Sequence, residues 1–91
     1  MLADVKTALR ISHDALDTDI SDLIDEARQD LILAGLSSAK ANDDEDALIK
    51  RAIKTYAKAH FIADNVTAER FQKSYDMLKQ HLTLAGDYTS E

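Results

Sequence analysis

Apolar positions recur every three or four residues along most of the chain, which is the spacing of α-helices with one buried face. The pattern is strongest from Asp46 to Asn65. Its apolar and weakly polar positions are Ile49, Ala52, Ile53, Tyr56, Ala57, His60 and Ala63. Phe61 and Ile62 lie beside this face, and a helix that is apolar on more than one side is usually covered on more than one side. We therefore predict that this stretch is the central helix.

Two helices are predicted before the central one. A short helix covers Leu2–Leu9, with leucine and valine on one face. The second helix is capped by Asp17 or Thr18, because a side-chain oxygen there can accept a backbone N–H of the first turn, and it runs to about Leu33. Gly35 follows it and suits the left-handed conformation that ends many helices.

The other segments are interpreted from their small and polar residues. The one long connector is residues 36–46, and its acids Asp43–Asp46 suit the first turn of the central helix, where the helix dipole is positive. A tight break at Asn65–Thr67, whose threonine caps the next helix, leads to the last helix. That helix covers residues 68–85 and ends at Gly86.

These four helices, the first of them short, predict an all-α protein. We expect a compact bundle in a single domain, residues 1–86, followed by a short tail, residues 87–91. The lack of proline and the presence of only two glycines agree with this. Apolar residues are 45% of a 91-residue chain, so the core is small and assembly with a partner would add stability.

Candidate chemistry is scarce. Without cysteine there are no disulfides or thiolate metal sites, and no run approaches the roughly 20 apolar residues of a membrane-spanning helix. His60 and Asp64 have the spacing of two metal ligands on a helix, but a site needs three or four. Neither a glycine-rich phosphate loop nor a nucleophile motif is present. We expect no enzyme activity, no cofactor, no metal and no membrane partner.

Charge is arranged in two stripes of four-residue spacing. The acidic stripe on the second helix is Asp22, Glu26 and Asp30. The basic stripe on the central helix is Lys50, Lys54 and Lys58. Like charges at this spacing destabilise an isolated helix by roughly 0.2–0.5 kcal/mol per pair. Opposite stripes of equal pitch predict a head-to-tail contact between subunits; the alternatives are solvated faces, or stripes that meet within one subunit.

Both ends of the chain resemble a known family. The first segments are LADVK at 2–6, LRI at 9–11, HD at 13–14 and DISDLI at 19–24. The last segments are ERFQKSYDMLK at 69–79 and LAGDY at 84–88. They resemble the small head–tail connector proteins of tailed phages and prophages, and the likeness covers nearly the whole chain.

The resemblance implies a structural virion protein of the phage neck. Such a protein is made in the host cytoplasm and forms a ring, typically of about twelve copies, beneath the portal protein at the head–tail junction. The ring extends the DNA channel and offers a surface to the next neck or tail protein. DNA passes through during ejection but is not tightly bound, which suits a formal net charge of −6.

Two further groups of residues gain candidate roles from this resemblance. We predict that the acidic connector residues Asp43, Asp44, Glu45 and Asp46 face the channel, where acids avoid binding phosphate. We predict that the tail docks a partner through Asp87, Tyr88, Thr89, Ser90 and Glu91. The alternative for Tyr88 is that it folds back on its own domain.

Two other functions fit the residues. One is a small helical protein–protein interaction module of a prophage or bacterium, which would be a monomer or dimer that ignores the portal. The other is a DNA-binding domain, supported only by the basic residues Lys50, Arg51, Lys54 and Lys58 and opposed by the net charge.

Overall fold

The computed structural model describes residues 1–61 and 65–90, in which the regular structure is entirely helical. The helices are α1 (Leu2–Leu9), α2 (Asp17–Ala34), α3 (Ser38–Ala41), α4 (Ala47–Phe61), α5 (Asn65–Thr83) and α6 (Gly86–Thr89). The all-α prediction is confirmed, and the bounds of the short first helix are those expected.

Helix α4 is the centre of the molecule, as predicted, because it packs against α1, α2 and α5. Its buried residues are Ile49, Ala52, Ile53, Tyr56 and Ala57, which form the predicted apolar face. His60, at the end of that face, is exposed, and Ala63 lies outside the described residues. The remaining core comes mainly from α2 and α5, where Ile20, Leu31 and Tyr75 are fully buried. Burying one such aliphatic side chain stabilises the fold by about 1.5–3 kcal/mol.

The end of α2 follows from one glycine. Gly35 has φ 122°, and its N–H donates to the carbonyl of Ile32 while the N–H of Leu36 donates to that of Leu31. These two bonds form the Schellman motif, in which a left-handed residue satisfies the last carbonyls of a helix. Leu36 is thereby placed in the core. The prediction for Gly35 is confirmed.

The predicted start of α2 is wrong. The helix begins at Asp17, and no side chain caps its first N–H groups. The Asp17 carboxylate instead pairs with the ammonium of Lys6, 2.7 Å away, and so ties α2 to α1. The pairing with Asp17 raises the pKa of Lys6 and outweighs burial, which would lower it.

The structure differs from the prediction at three places after α2. The connector contains α3, a single turn capped by Ser37, whose Oγ accepts the N–H of Lys40 at 3.2 Å. Asn65–Thr67 is not a break but the first turn of α5. Gly86 does not end the last long helix, which stops at Thr83, and instead begins α6. Most of the predicted tail is therefore helical.

Candidate assembly surfaces

The acidic surface is a groove along α2 that reaches Tyr56 of α4. Its lining residues are Asp22, Asp25, Glu26, Gln29, Asp30, Leu33 and Tyr56. All three members of the predicted acidic stripe lie in it. Asp22 and Glu26 are exposed, whereas Asp30 is half-buried.

Asp30 is bonded inside the subunit. The Tyr75 hydroxyl donates to Asp30 Oδ2 at 2.6 Å, and Lys79 Nζ donates to the same oxygen at 2.9 Å. Partial burial by itself would raise the pKa of Asp30, but the bonds from Tyr75 and Lys79 outweigh it and lower that pKa. Burial and the adjoining carboxylate raise the pKa of Tyr75. Asp30 therefore joins α2 to α5, and its charge is already partly compensated.

Tyr56 lines the acidic groove, and Tyr75 packs against its ring. Tyr56 OH donates to Glu26 Oε1 at 3.3 Å. Its ring meets that of Tyr75 edge-on, with 5.1 Å between centroids, and stacks on His60 at 4.1 Å. Burial, followed by the carboxylate of Glu26, raises the pKa of Tyr56. The sequence placed Tyr56 on the predicted apolar face, but it did not indicate the carboxylate partner of either tyrosine.

The basic surface is a groove between α4 and α5. Its lining residues are Arg51, Lys54, Thr55, Lys58, Phe71, Ser74, Met77, Leu78 and His81. Lys54 and Lys58 come from the predicted basic stripe, and the Lys58 ammonium lies 5.2 Å from the centroid of the Phe71 ring. Lys50 does not line this groove, and Arg51 contributes the third strong positive charge instead.

The two stripes do not pair with each other inside the subunit. Within residues 1–61 and 65–90, no ion pair joins a carboxylate of the acidic stripe to a lysine of the basic stripe. Each surface also presents a large apolar side chain to solvent. Leu33 is 85% exposed on the acidic surface, and Met77 is 61% exposed on the basic surface.

The acidic connector lies before α4 rather than in its first turn. Asp46 Oδ1 accepts the N–H groups of Leu48 at 2.9 Å and Ile49 at 3.2 Å, so Asp46 caps the central helix. Partial burial would raise the pKa of Asp46, but bonds from Tyr88 and these N–H groups lower it.

The other connector acids differ in how far they are engaged. Asp44 pairs with Arg28 at 2.8 Å and lies 3.8 Å from the amino group of Met1. Asp43 Oδ1 accepts the N–H of Glu45 at 3.0 Å. The side chain of Glu45 is exposed. Much of the acidic connector is thus used to hold the chain together, and Glu45 contributes the most open charge.

The end of the chain folds back onto this connector. Tyr88 OH donates to both oxygens of Asp46, at 3.1 and 2.9 Å, and the ammonium of Lys40 lies 5.2 Å from the centroid of its ring. The carbonyl of Tyr88 accepts the N–H of Ser37 at 2.8 Å. The alternative that Tyr88 packs on its own domain is therefore the one observed. Asp87 and Ser90 are exposed, whereas Glu91 lies outside the described residues.

The described part of the chain contains no group of three or more histidine, aspartate or glutamate side chains placed to hold a metal ion. Asp64, which the sequence paired with His60, is not among the described residues. None of the described helices combines the length and apolarity needed to span a bilayer.

Comparison with known proteins places these surfaces in context. A family model described as phage connector protein matches residues 1–89. The chain belongs to the phage connector protein family. No curated protein and no solved structure matches it. The connector resemblance of the sequence is confirmed, and the matched range includes both charged surfaces, the acidic connector and Tyr88.

Family membership supports a general role in the neck of a phage particle, at the junction of head and tail. It also gives the surfaces of this connector protein a context, since connector proteins associate with other head or tail proteins. Which surface meets which partner depends on this chain's own residues. The candidates are the acidic surface, the basic surface, the acidic connector and α6.

Proposed function

We propose that this connector protein is a structural component of the phage neck that forms a ring of about twelve copies. The ring joins the portal protein to the next neck or tail protein and extends the DNA channel. The observation that carries the proposal is the family match over residues 1–89, in a chain of 91. The role is mechanical, and it requires neither a catalytic residue nor a cofactor.

The acidic connector is our candidate for the channel lining, at Asp43, Asp44, Glu45 and Asp46. Acids in the lumen keep affinity for passing DNA low, because tight binding requires phosphates to be neutralised by cations. Glu45 is exposed, and Asp43 and Asp44 remain partly accessible. Asp46 serves the fold through its cap and its bond from Tyr88. Glu45 is therefore the residue through which we expect the passing DNA to be repelled most directly.

The end of the chain is our candidate for partner docking. Exposed Asp87 and Ser90 flank Tyr88, whose hydroxyl is held by Asp46. Docking to the portal or to the next neck protein then uses residues 87–91, either with the Tyr88 hydroxyl still bonded to Asp46 or after that bond has broken.

Electron microscopy tests the proposal most directly. The purified chain is imaged alone at high concentration and then with portal rings from the same source. We expect rings, or an added layer of density on the portal whose symmetry gives the copy number. A portal from an unrelated phage is the control. A chain that stays monomeric and leaves its own portal bare would overturn the proposal and favour the interaction module.

A further inference from the structure

The two charged surfaces open on opposite sides of α4. An α-helix turns about 100° per residue, so Lys54 and Lys58, each two positions from Tyr56, lie about 160° from it around the helix. Tyr56 faces α2 and lines the acidic groove, whereas the two lysines line the basic groove towards α5. Helix α4 thus lies between the two surfaces.

The surfaces are complementary in composition as well as in position. Among the described residues, the lining of the acidic surface contains four carboxylates and no basic side chain. The lining of the basic surface contains Arg51, Lys54 and Lys58 with no acid. Each also carries one exposed apolar side chain, Leu33 on the first and Met77 on the second. The two surfaces therefore carry opposite charges, and each adds one exposed apolar side chain.

We propose that the acidic surface of one copy docks in the basic surface of a second copy, with Leu33 and Met77 both buried in the contact. The proposal rests on the proposed function, and it names the partner of these surfaces as another copy of this chain. Because the contact joins two different surfaces on opposite sides of the molecule, it is heterologous and repeats from copy to copy. A two-fold dimer built on either surface alone would instead bring like charges together, and surfaces on opposite sides of the molecule cannot both lie in one two-fold interface.

The structure also refines the contact predicted from the stripes. Asp30 is held by Tyr75 and Lys79, so the acids left to carry the contact are Asp22, Asp25 and Glu26. Glu26 is exposed but accepts one hydrogen bond from Tyr56, whereas Asp22 and Asp25 are exposed without such a bond among the described residues. Their partners are Arg51, Lys54 and Lys58, and Lys50 takes no part.

Charge reversal with a swap tests the contact. Variant one carries Asp22→Lys and Asp25→Lys, and variant two carries Arg51→Glu and Lys54→Glu. None of these four side chains has a hydrogen bond or ion pair in the described structure, so both variants should fold. Each alone should lose at least tenfold in assembly, measured as sedimenting oligomer. An equimolar mixture should restore assembly, because every contact in an alternating assembly again joins opposite charges.

Matched controls separate the contact from net charge. Asp19→Lys with Glu69→Lys changes the net charge as variant one does, at exposed positions outside both surfaces. Arg10→Glu with Lys73→Glu does the same for variant two. The controls should assemble as the wild type does. Equal loss in variants and controls, or a mixture that fails to assemble, would overturn the proposal.

The lack of cysteine allows the contact to be trapped directly. A chain with Leu33→Cys and a chain with Met77→Cys are mixed, alone and on portal rings, and treated with a short bis-maleimide. We expect at least tenfold more cross-linked heterodimer than from Leu33→Cys with Leu84→Cys, since Leu84 is 81% exposed outside both surfaces. Equal yields would overturn the proposal.

Two further readouts keep the alternatives apart. Retention of a DNA duplex by the wild type, lost in variant two, would assign the basic surface to DNA and overturn the contact. Portal binding is scored separately. If the chain binds the portal but the cross-linked heterodimer is not enriched, the contact is overturned and the proposed neck function is still supported. Enriched cross-linking by a chain that ignores the portal supports the contact and overturns the neck function.

Discussion

Asp30 connects α2 to α5 through its bonds from Tyr75 and Lys79. Its carboxylate lies in the acidic surface, but its hydrogen bonds are made inside the subunit. Hydrogen bonds to a charged group contribute about 1.5–3 kcal/mol when well buried, and less where solvent reaches them, as it does here. The acidic surface therefore contains residues of two kinds, structural and free.

The decrease in the free energy of unfolding at acid pH should depend on Asp30. The pKa of its carboxyl is lower in the folded chain, so the carboxylate stabilises the fold above its unfolded pKa and loses this effect as the pH falls through the folded pKa. We expect the free energy of unfolding in urea to decline below about pH 4. Asp30→Asn should flatten that decline, and the exposed control Asp22→Asn should not. A decline of unchanged steepness in Asp30→Asn would contradict the assignment.

The two core tyrosines offer a matched pair. Tyr75→Phe removes a 2.6 Å bond at a fully buried ring and should lower the free energy of unfolding by about 1–2 kcal/mol. Tyr56→Phe removes a 3.3 Å bond and should cost less. Burial and its carboxylate partner raise the pKa of Tyr75, so its stabilisation is complete below about pH 10 and is lost as the pH rises further. Alkaline unfolding followed by circular dichroism should be shallower in Tyr75→Phe than in the wild type.

At the scale of the element, the two glycines act differently. Neither would meet a neighbouring atom if it gained a Cβ, but only Gly35 has a positive φ. Gly35→Ala should therefore lower the free energy of unfolding by about 1 kcal/mol through backbone strain alone. Gly86→Ala, in the first turn of α6, should be neutral or stabilising. Thermal unfolding of the two variants measures this difference. Equal melting temperatures would show that the positive φ of Gly35 does not make glycine necessary there.

Helix α6 gives a prediction that joins stability to docking. Deleting residues 87–91 should weaken binding to portal rings or to the next neck protein, measured by co-sedimentation. It also removes the Tyr88–Asp46 bond, so we expect about 1 kcal/mol lower stability. Tyr88→Phe is the control, because it loses the same bond but keeps the chain end and should still dock. Undiminished docking by the deleted chain would exclude the tail as a docking element.

At the scale of the whole molecule, assembly through charged surfaces should respond to salt. The Debye length falls from about 10 Å at 0.1 M to about 3 Å at 1 M, so charges at the rim of the contact attract each other less at high salt. We expect sedimenting oligomer to decrease over this range. A chain carrying all four reversals, with the two signs exchanged, should show the same dependence. Assembly that is indifferent to salt would show that apolar contacts dominate it.

The sequence predicted the long helices because each has a continuous apolar face, and it placed α4 at the centre because that helix is apolar on several sides. It missed α3 and α6 because four residues are too few to show a helical period. Asn65–Thr67 resembled a break because asparagine and threonine are frequent caps. The bond from Tyr75 to Asp30 spans 45 positions, and no local pattern reports such a contact. The sequence located both charged stripes, but it did not show which of their side chains are bonded inside the subunit.

All three tyrosines of this chain donate their hydroxyls to carboxylates: Tyr56 to Glu26, Tyr75 to Asp30 and Tyr88 to Asp46. The chain has no tryptophan to mask them, so its near-ultraviolet spectrum comes chiefly from these three phenols. Each reports on a different junction, α4 with α2, α5 with α2, and α6 with the cap of α4. Variants that retain a single tyrosine would let fluorescence follow each junction separately, showing which one opens first when the subunit meets a partner.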